Sequence, residues 1–128
     1  PDCSIKCGLP GFIKILNNTT LRWEDLDGNR MYRTLGNINK NNKVSLLFVD
    51  FEKPEKKEKP DKPTKLRILG LSKIINIKGK RYINVKIKYV FPNCPRYLPH
   101  FKFISHSSYL LKKKTPLWKK RSYINKLL

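Results

Sequence analysis

Arg33 and Thr34 are the residues whose types and spacing best suit chemistry. They lie in the stretch 28–51, GNRMYRTLGNINKNNKVSLLFVDF, which reads as a turn, a short polar helix, an Asn-rich turn and a buried strand. Gly28 and Asn29 suit a tight turn and a helix N-cap. Met31, Leu35 and Ile38 then recur at roughly helical spacing, leaving Arg30, Arg33 and Thr34 on polar faces. A helix start offers free backbone N–H groups and the positive end of the macrodipole. A guanidinium and a hydroxyl added there suit a phosphate. Other chemistries have less support. Cys3 and Cys7 are four apart, no second Cys/His pair stands at zinc-ligand spacing, and His100 and His106 are too isolated to complete a site. Neither histidine belongs to a recognisable triad, and Gly8 and Gly11 do not form a Gly-rich phosphate loop.

The elements that must position these residues read as mainly β. Residues 11–16 and 21–23 flank Asn17-Asn18-Thr19-Thr20, a hairpin turn. After the helix, residues 44–49 form an apolar run of strand length closed by Asp50. Residues 66–77 and 81–91 read as two long strands around Lys78-Gly79-Lys80. In the second, Tyr82, Asn84, Lys86 and Lys88 alternate with Ile83, Val85, Ile87 and Tyr89, so one face is buried and the other wet. The segment 52–65, with a Pro every few residues and no apolar content beyond its ends, reads as a charged excursion between strands. Pro92 and Pro95 break any regular strand, and residues 94–97 suit a helical turn. Thr115 as N-cap and Pro116 at the first helical position predict a last short helix over 116–125, with Leu117 and Trp118 packing.

Composition bounds the partners. The 128 residues make one domain with a modest core, and 39% apolar content is low enough that a shared dimer core would help bury the strands. No apolar run approaches the ~20 residues of a membrane span. Three cysteines, an odd number, argue against a disulfide framework and for a reducing, cytoplasmic setting. The net charge is +20, and no Asp or Glu follows Asp61. Such a half-chain is attracted to nucleic acid or another polyanion, although the excess of Lys, Asn and Ile runs through structural positions as well.

Three segments resemble the pyridoxamine 5'-phosphate oxidase-like flavoproteins, the FMN-binding split-barrel family. They are 28–51, quoted above, the N-terminal PDCSIKCGLPGFIKIL (1–16) with its Ser-x-Lys element before a glycine turn, and FPNCPRY (91–97) followed at a distance by PLW (116–118). Together they cover most of the chain outside 53–65 and roughly 100–114. The resemblance implies a split β-barrel with a short helix after the first strands and a short C-terminal helix. It also implies that at least one strand precedes Pro1. Its cofactor is FMN, held at a homodimer interface.

Carried over residue by residue, the resemblance runs Pro1, Asp2, Cys3 and Ser4 along the flavin ring through main-chain contacts. It sets Ser4 and Lys6 on a strand beside the cofactor, makes Arg33 and Thr34 the phosphate anchor, and brings Asn29 near the ribityl chain. Tyr97 and Trp118 are aromatics that could cover the ring. One departure matters. The oxidase itself carries an Arg-Lys pair at the helix start, whereas Arg33 is followed here by Thr34, and no Arg/His constellation for the oxidase substrate stands near the C-terminus. The expectation is therefore a flavin-dependent oxidoreductase of unspecified substrate. The alternative is a degenerate split barrel that has lost FMN and uses its basic surface to bind RNA or another polyanion.

Overall fold

Strand pairing dominates the architecture. A computed structural model describes residues 2–52, 65–112 and 115–121. Five strands, β1 (Lys14–Asn17), β2 (Thr20–Glu24), β3 (Lys43–Val49), β4 (Lys65–Ile77) and β5 (Lys80–Pro92), form one open sheet. Their order is β1-β2-β5-β4-β3 and every pair is antiparallel. The chain is thus mainly β, as the alternation predicts. The crossover from β2 to the far edge strand β3 carries the helix α1 (Arg33–Lys40).

Local chemistry explains the turns. Asn17 Oδ1 accepts from the Thr19 amide at 3.0 Å and tightens the β1–β2 hairpin. Lys78 and Gly79 both have positive φ (48° and 76°), as a two-residue turn requires if its twist is to match that of β4 and β5. Where β5 carries an extra residue opposite Leu69-Gly70, a Cβ on Gly70 would come 2.6 Å from the Lys86 carbonyl oxygen, so only glycine fits this bulge without a backbone shift.

The cross-strand register sorts side chains onto two faces. Leu21 pairs with Val85 and Trp23 with Ile83, while Ser72 and Ile74 of β4 stand opposite the same two β5 residues. This inner face is the one α1 covers. Leu35 and Ile38, three apart on the helix, bury against Trp23, Ile83 and Val85. Full burial of such side chains contributes roughly 1.5–3 kcal/mol each. Ser72, buried among them, is satisfied by donating its hydroxyl to the Asn42 carbonyl at 2.9 Å. The outer face carries Lys14, Arg22, Asn84 and Lys73 in one cross-strand row, and Lys86 and Lys43 in the next.

Several expectations need correction. The helix begins at Arg33, not at the Gly28-Asn29 turn, because Tyr32 takes a left-handed conformation (φ 48°) at the cap position. Met31 consequently lies outside the helix and is exposed. The expected helix over 116–125 is a single 3₁₀ turn, Leu117–Lys120, closed by extended Arg121; residues 122–125 lie outside the described residues. Its buried side chain is Lys119, not Leu117 or Trp118. A five-residue helix α2 (Ser108–Lys112) stands where the sequence offered only an aromatic, Ser-rich stretch. The ends of the charged excursion 52–65 are ordered by neighbouring structure. Lys65 opens β4, and Glu52 accepts the Phe103 amide at 3.3 Å. Residues 53–64 lie outside the described residues.

Candidate functional site

The residues between β2 and α1 and the N-terminal segment make a groove of about 240 Å³. Residues 2–8 form no strand, contrary to the expectation for Ser4 and Lys6. Asp2, Ser4 and Lys6 line the groove, whereas the intervening Cys3 and Ile5 do not.

From the other side come Asn29, Arg33 and Thr34. Segments some thirty residues apart in sequence therefore converge. The Thr34 hydroxyl donates to Asp2 Oδ2 at 3.1 Å and lies 3.2 Å from Ser4 Oγ. Six of the eight sequence-derived site residues share this groove. Cys3 does not, and Pro1 lies outside the described residues.

The helix start has free amides, although the Asp2 carboxylate already accepts from Thr34 beside them. The first intrahelical bond is Gly36 N–H to the Tyr32 carbonyl at 3.0 Å, so the amides before it have no helical acceptor. No side chain caps them and no acidic residue occupies the first turn. Arg33 is the first helical residue, and Lys6 and Arg30 line the same groove. Asn29 caps a local turn instead of the helix, its Oδ1 accepting from the Met31 amide at 3.1 Å.

The loop that shapes this groove is strained and braced. Arg30 and Tyr32 both have positive φ, a conformation uncommon for residues with a side chain. Such outliers persist where surrounding structure holds them, often at ligand sites. Here the Arg81 guanidinium stacks 4.3 Å above the Tyr32 ring and lies 3.2 Å from Asp25 Oδ2. That contact is a charge pair without an aligned N–H, because buried Oδ2 has no hydrogen-bond donor. A second brace comes from the far end of the chain. Lys119 Nζ donates to Asp27 Oδ2 at 2.6 Å from an almost fully buried position, fastening the 3₁₀ turn to the loop. Nothing in the sequence distinguishes Lys119 from Lys120 or Arg121 beside it. Arg81 and Lys119 are what sequence reasoning missed.

A second, more apolar groove of about 350 Å³ shares Leu26 with the first and is lined by Phe12, Trp23 and Tyr82 among others. Tyr97 and Trp118, the proposed ring covers, line neither groove. His106 meets Phe103 in a tilted contact with ring centroids 4.8 Å apart and does not line the groove. No family model, curated protein or solved structure matches this chain. No helix among the described residues is long and apolar enough to cross a membrane.

Proposed function

We propose that the chain is a split-barrel protomer that binds FMN, pairs as a homodimer and serves flavin-dependent redox chemistry. The observation that carries this reading is the meeting of 2–6 with 29–34 at an uncapped helix start. The donor set suits a phosphomonoester that displaces Asp2 from the Thr34 hydroxyl: the Ser4 and Thr34 hydroxyls, the cations Lys6, Arg30 and Arg33, and free backbone amides. At about 240 Å³ the groove suits the phosphate and part of the ribityl chain rather than the whole cofactor, so this reading assigns the ring to the adjoining apolar groove and a second copy. When bound, the flavin would supply hydride acceptance at its own ring. The chain supplies binding and orientation: Arg33 and Lys6 neutralise the phosphate, Ser4 and Thr34 fix it, and the Arg81 and Lys119 braces hold the loop open. Neither the substrate nor the oxidase activity proper is part of the proposal, since no histidine lines the groove.

A titration by flavin fluorescence tests it. Each charge-assisted bond is worth roughly 1.5–3 kcal/mol, so Arg33→Ala or Lys6→Ala should weaken FMN about ten- to a hundred-fold. Riboflavin, which lacks the phosphate, should hardly respond. Lys88→Ala, an exposed lysine outside the groove, controls for the general field of the +20 chain. Unchanged preference for FMN over riboflavin in Arg33→Ala, or an equal loss in Lys88→Ala, overturns the site. Light scattering on the same samples should return twice the protomer mass.

A further inference from the structure

The outer face of the sheet has a composition that the groove does not explain. One cross-strand row reads Lys73, Asn84, Arg22, Lys14 from β4 to β1, and the next reads Lys43, Leu71, Lys86, Thr20 from β3 to β2. Directly opposite residues stand ~5 Å apart, and like charges so placed destabilise a sheet. Lys14 opposite Arg22 is such a pair. The acid among the strand residues of this face, Glu24, is already bound to Lys80 at 3.1 Å. Lys14, Lys43, Lys73 and Lys86 are exposed and enter no ion pair among the described residues.

Aromatic rings flank these two rows along β5, Tyr82 on one side and Tyr89 and Phe91 on the other. Tyr89 is 68% exposed on this face opposite Leu69, and Phe91 is 38% exposed opposite Arg67. Tyr82 lies under the Arg22 guanidinium at 5.9 Å. Repeated cations beside open ring faces match an extended chain that carries regularly spaced negative charge and flat apolar groups. A second copy of this chain fits poorly, because two such faces would bring like charges together. A featureless polyanion would use the lysines and leave the rings without a role.

We infer that the outer face binds single-stranded nucleic acid, with Lys14, Lys43, Lys73 and Lys86 on the phosphates and Tyr89 and Phe91 stacking bases. This goes beyond the flavin reading and uses none of its residues. Binding is sequence-tolerant, because every base has a stacking face.

The test is fluorescence anisotropy of labelled oligo(dT) and oligo(U), each about 20 nucleotides, long enough for single-strand sites of this kind. Wild type should bind both. Lys73→Glu/Lys86→Glu should weaken binding more than ten-fold and flatten the log–log salt slope by about 1.4, since each phosphate contact on a single strand contributes about 0.7. Tyr89→Ala should weaken it about five- to a hundred-fold, the scale of one lost base stack. Lys40→Glu, the same reversal on an exposed position of α1, should change little. Equal loss in Lys40→Glu, or indifference to Tyr89→Ala with heparin bound as well as oligonucleotide, would mean undirected cation exchange and overturns the inference. So would oligonucleotides that fail to bind while Lys73→Glu/Lys86→Glu splits a dimer in sedimentation, which would make the face a protein interface. FMN titration of these variants should match wild type, so either reading can fail without the other.

Discussion

The two faces of the sheet are written in the same residues of the same strands and do opposite things. In β5, Ile83 and Val85 are fully buried beneath α1, while their neighbours Asn84 and Lys86 point the other way. The inner face is apolar and closed by Leu35 and Ile38; its Ser72 hydroxyl is hydrogen-bonded, whereas the buried Trp23 indole N–H has no acceptor among the described residues. The outer face is cationic, aromatic and half open. The difference separates what folding needs from what folding merely tolerates. Burial of the inner row contributes stability, whereas the lysine rows add repulsion that hydration and distance must absorb.

The sharpest way to break that comparison is a substitution on each side of one strand. Ile83→Ala should cost about 2–5 kcal/mol, the range for deleting a buried aliphatic side chain where the cavity cannot collapse. Lys86→Ala, three residues along and exposed, should stay within about 0.5 kcal/mol of wild type. Urea unfolding followed by tryptophan fluorescence measures both, since Trp23 packs in the same cluster as Ile83. Equal effects would mean that something covers the outer face, and the distinction drawn here would be lost.

Lys119 sharpens the comparison because it is a lysine buried like an inner-face residue, not displayed like Lys86. Its side chain is 6% exposed while its partner Asp27 is 47% exposed, so water already screens part of the pair. Lys119→Met keeps the length and apolar stem but removes the charge. We expect a loss of about 1–2 kcal/mol, the lower part of the range for hydrogen bonds to charged groups. Amides of 26–30 should exchange faster while those of β5 do not. Asp27→Asn should reproduce most of the change. If neither variant alters melting or exchange, the 3₁₀ turn is held by other contacts.

These cases also show what could be read from the sequence. The sheet was legible because period-two alternation survives burial on one side: Tyr82, Asn84 and Lys86 alternate with the buried Ile83 and Val85. The alternation failed past Ile87, where the bulge at Lys88 puts Tyr89, expected on the buried face, on the outer one at 68% exposure. The two-residue turn at Lys78-Gly79 was legible through glycine. Gly70 carried the same kind of signal, an isolated glycine inside a strand, and it marks the bulge. The helix start was misplaced because Asn29 is a fit cap by type, and only the Arg81–Tyr32 stack shows why the chain turns left-handed before Arg33. At the C-terminal end, local propensity favoured a helix with Leu117 and Trp118 inward. A contact ninety-two positions away, Lys119 to Asp27, set the orientation instead. In the groove, residues 2–6 and 29–34 could be associated only by resemblance, since no local rule joins segments so far apart.

The smallest effect concerns the outer face's acid. Lys80 is raised above its ordinary value of 10.5, first by its hydrogen bond to Glu24, then by the charge of Glu24 and of Tyr82. A folded-state value raised in this way stabilises the fold fully below pH 10.5, and the contribution is lost as pH rises through the folded-state value. The ammonium is fully exposed, so solvent screens the pair and thermal stability should be nearly flat across neutral pH. The sensitive measurement is therefore local: an NMR titration of the Lys80 side chain in wild type and Glu24→Gln. Removing the carboxylate should lower the titration midpoint of Lys80. A Lys80 midpoint unmoved by Glu24→Gln would show that Glu24 is unengaged. The outer face would then carry a free acid among its cations, and the case for an anionic partner there would weaken accordingly.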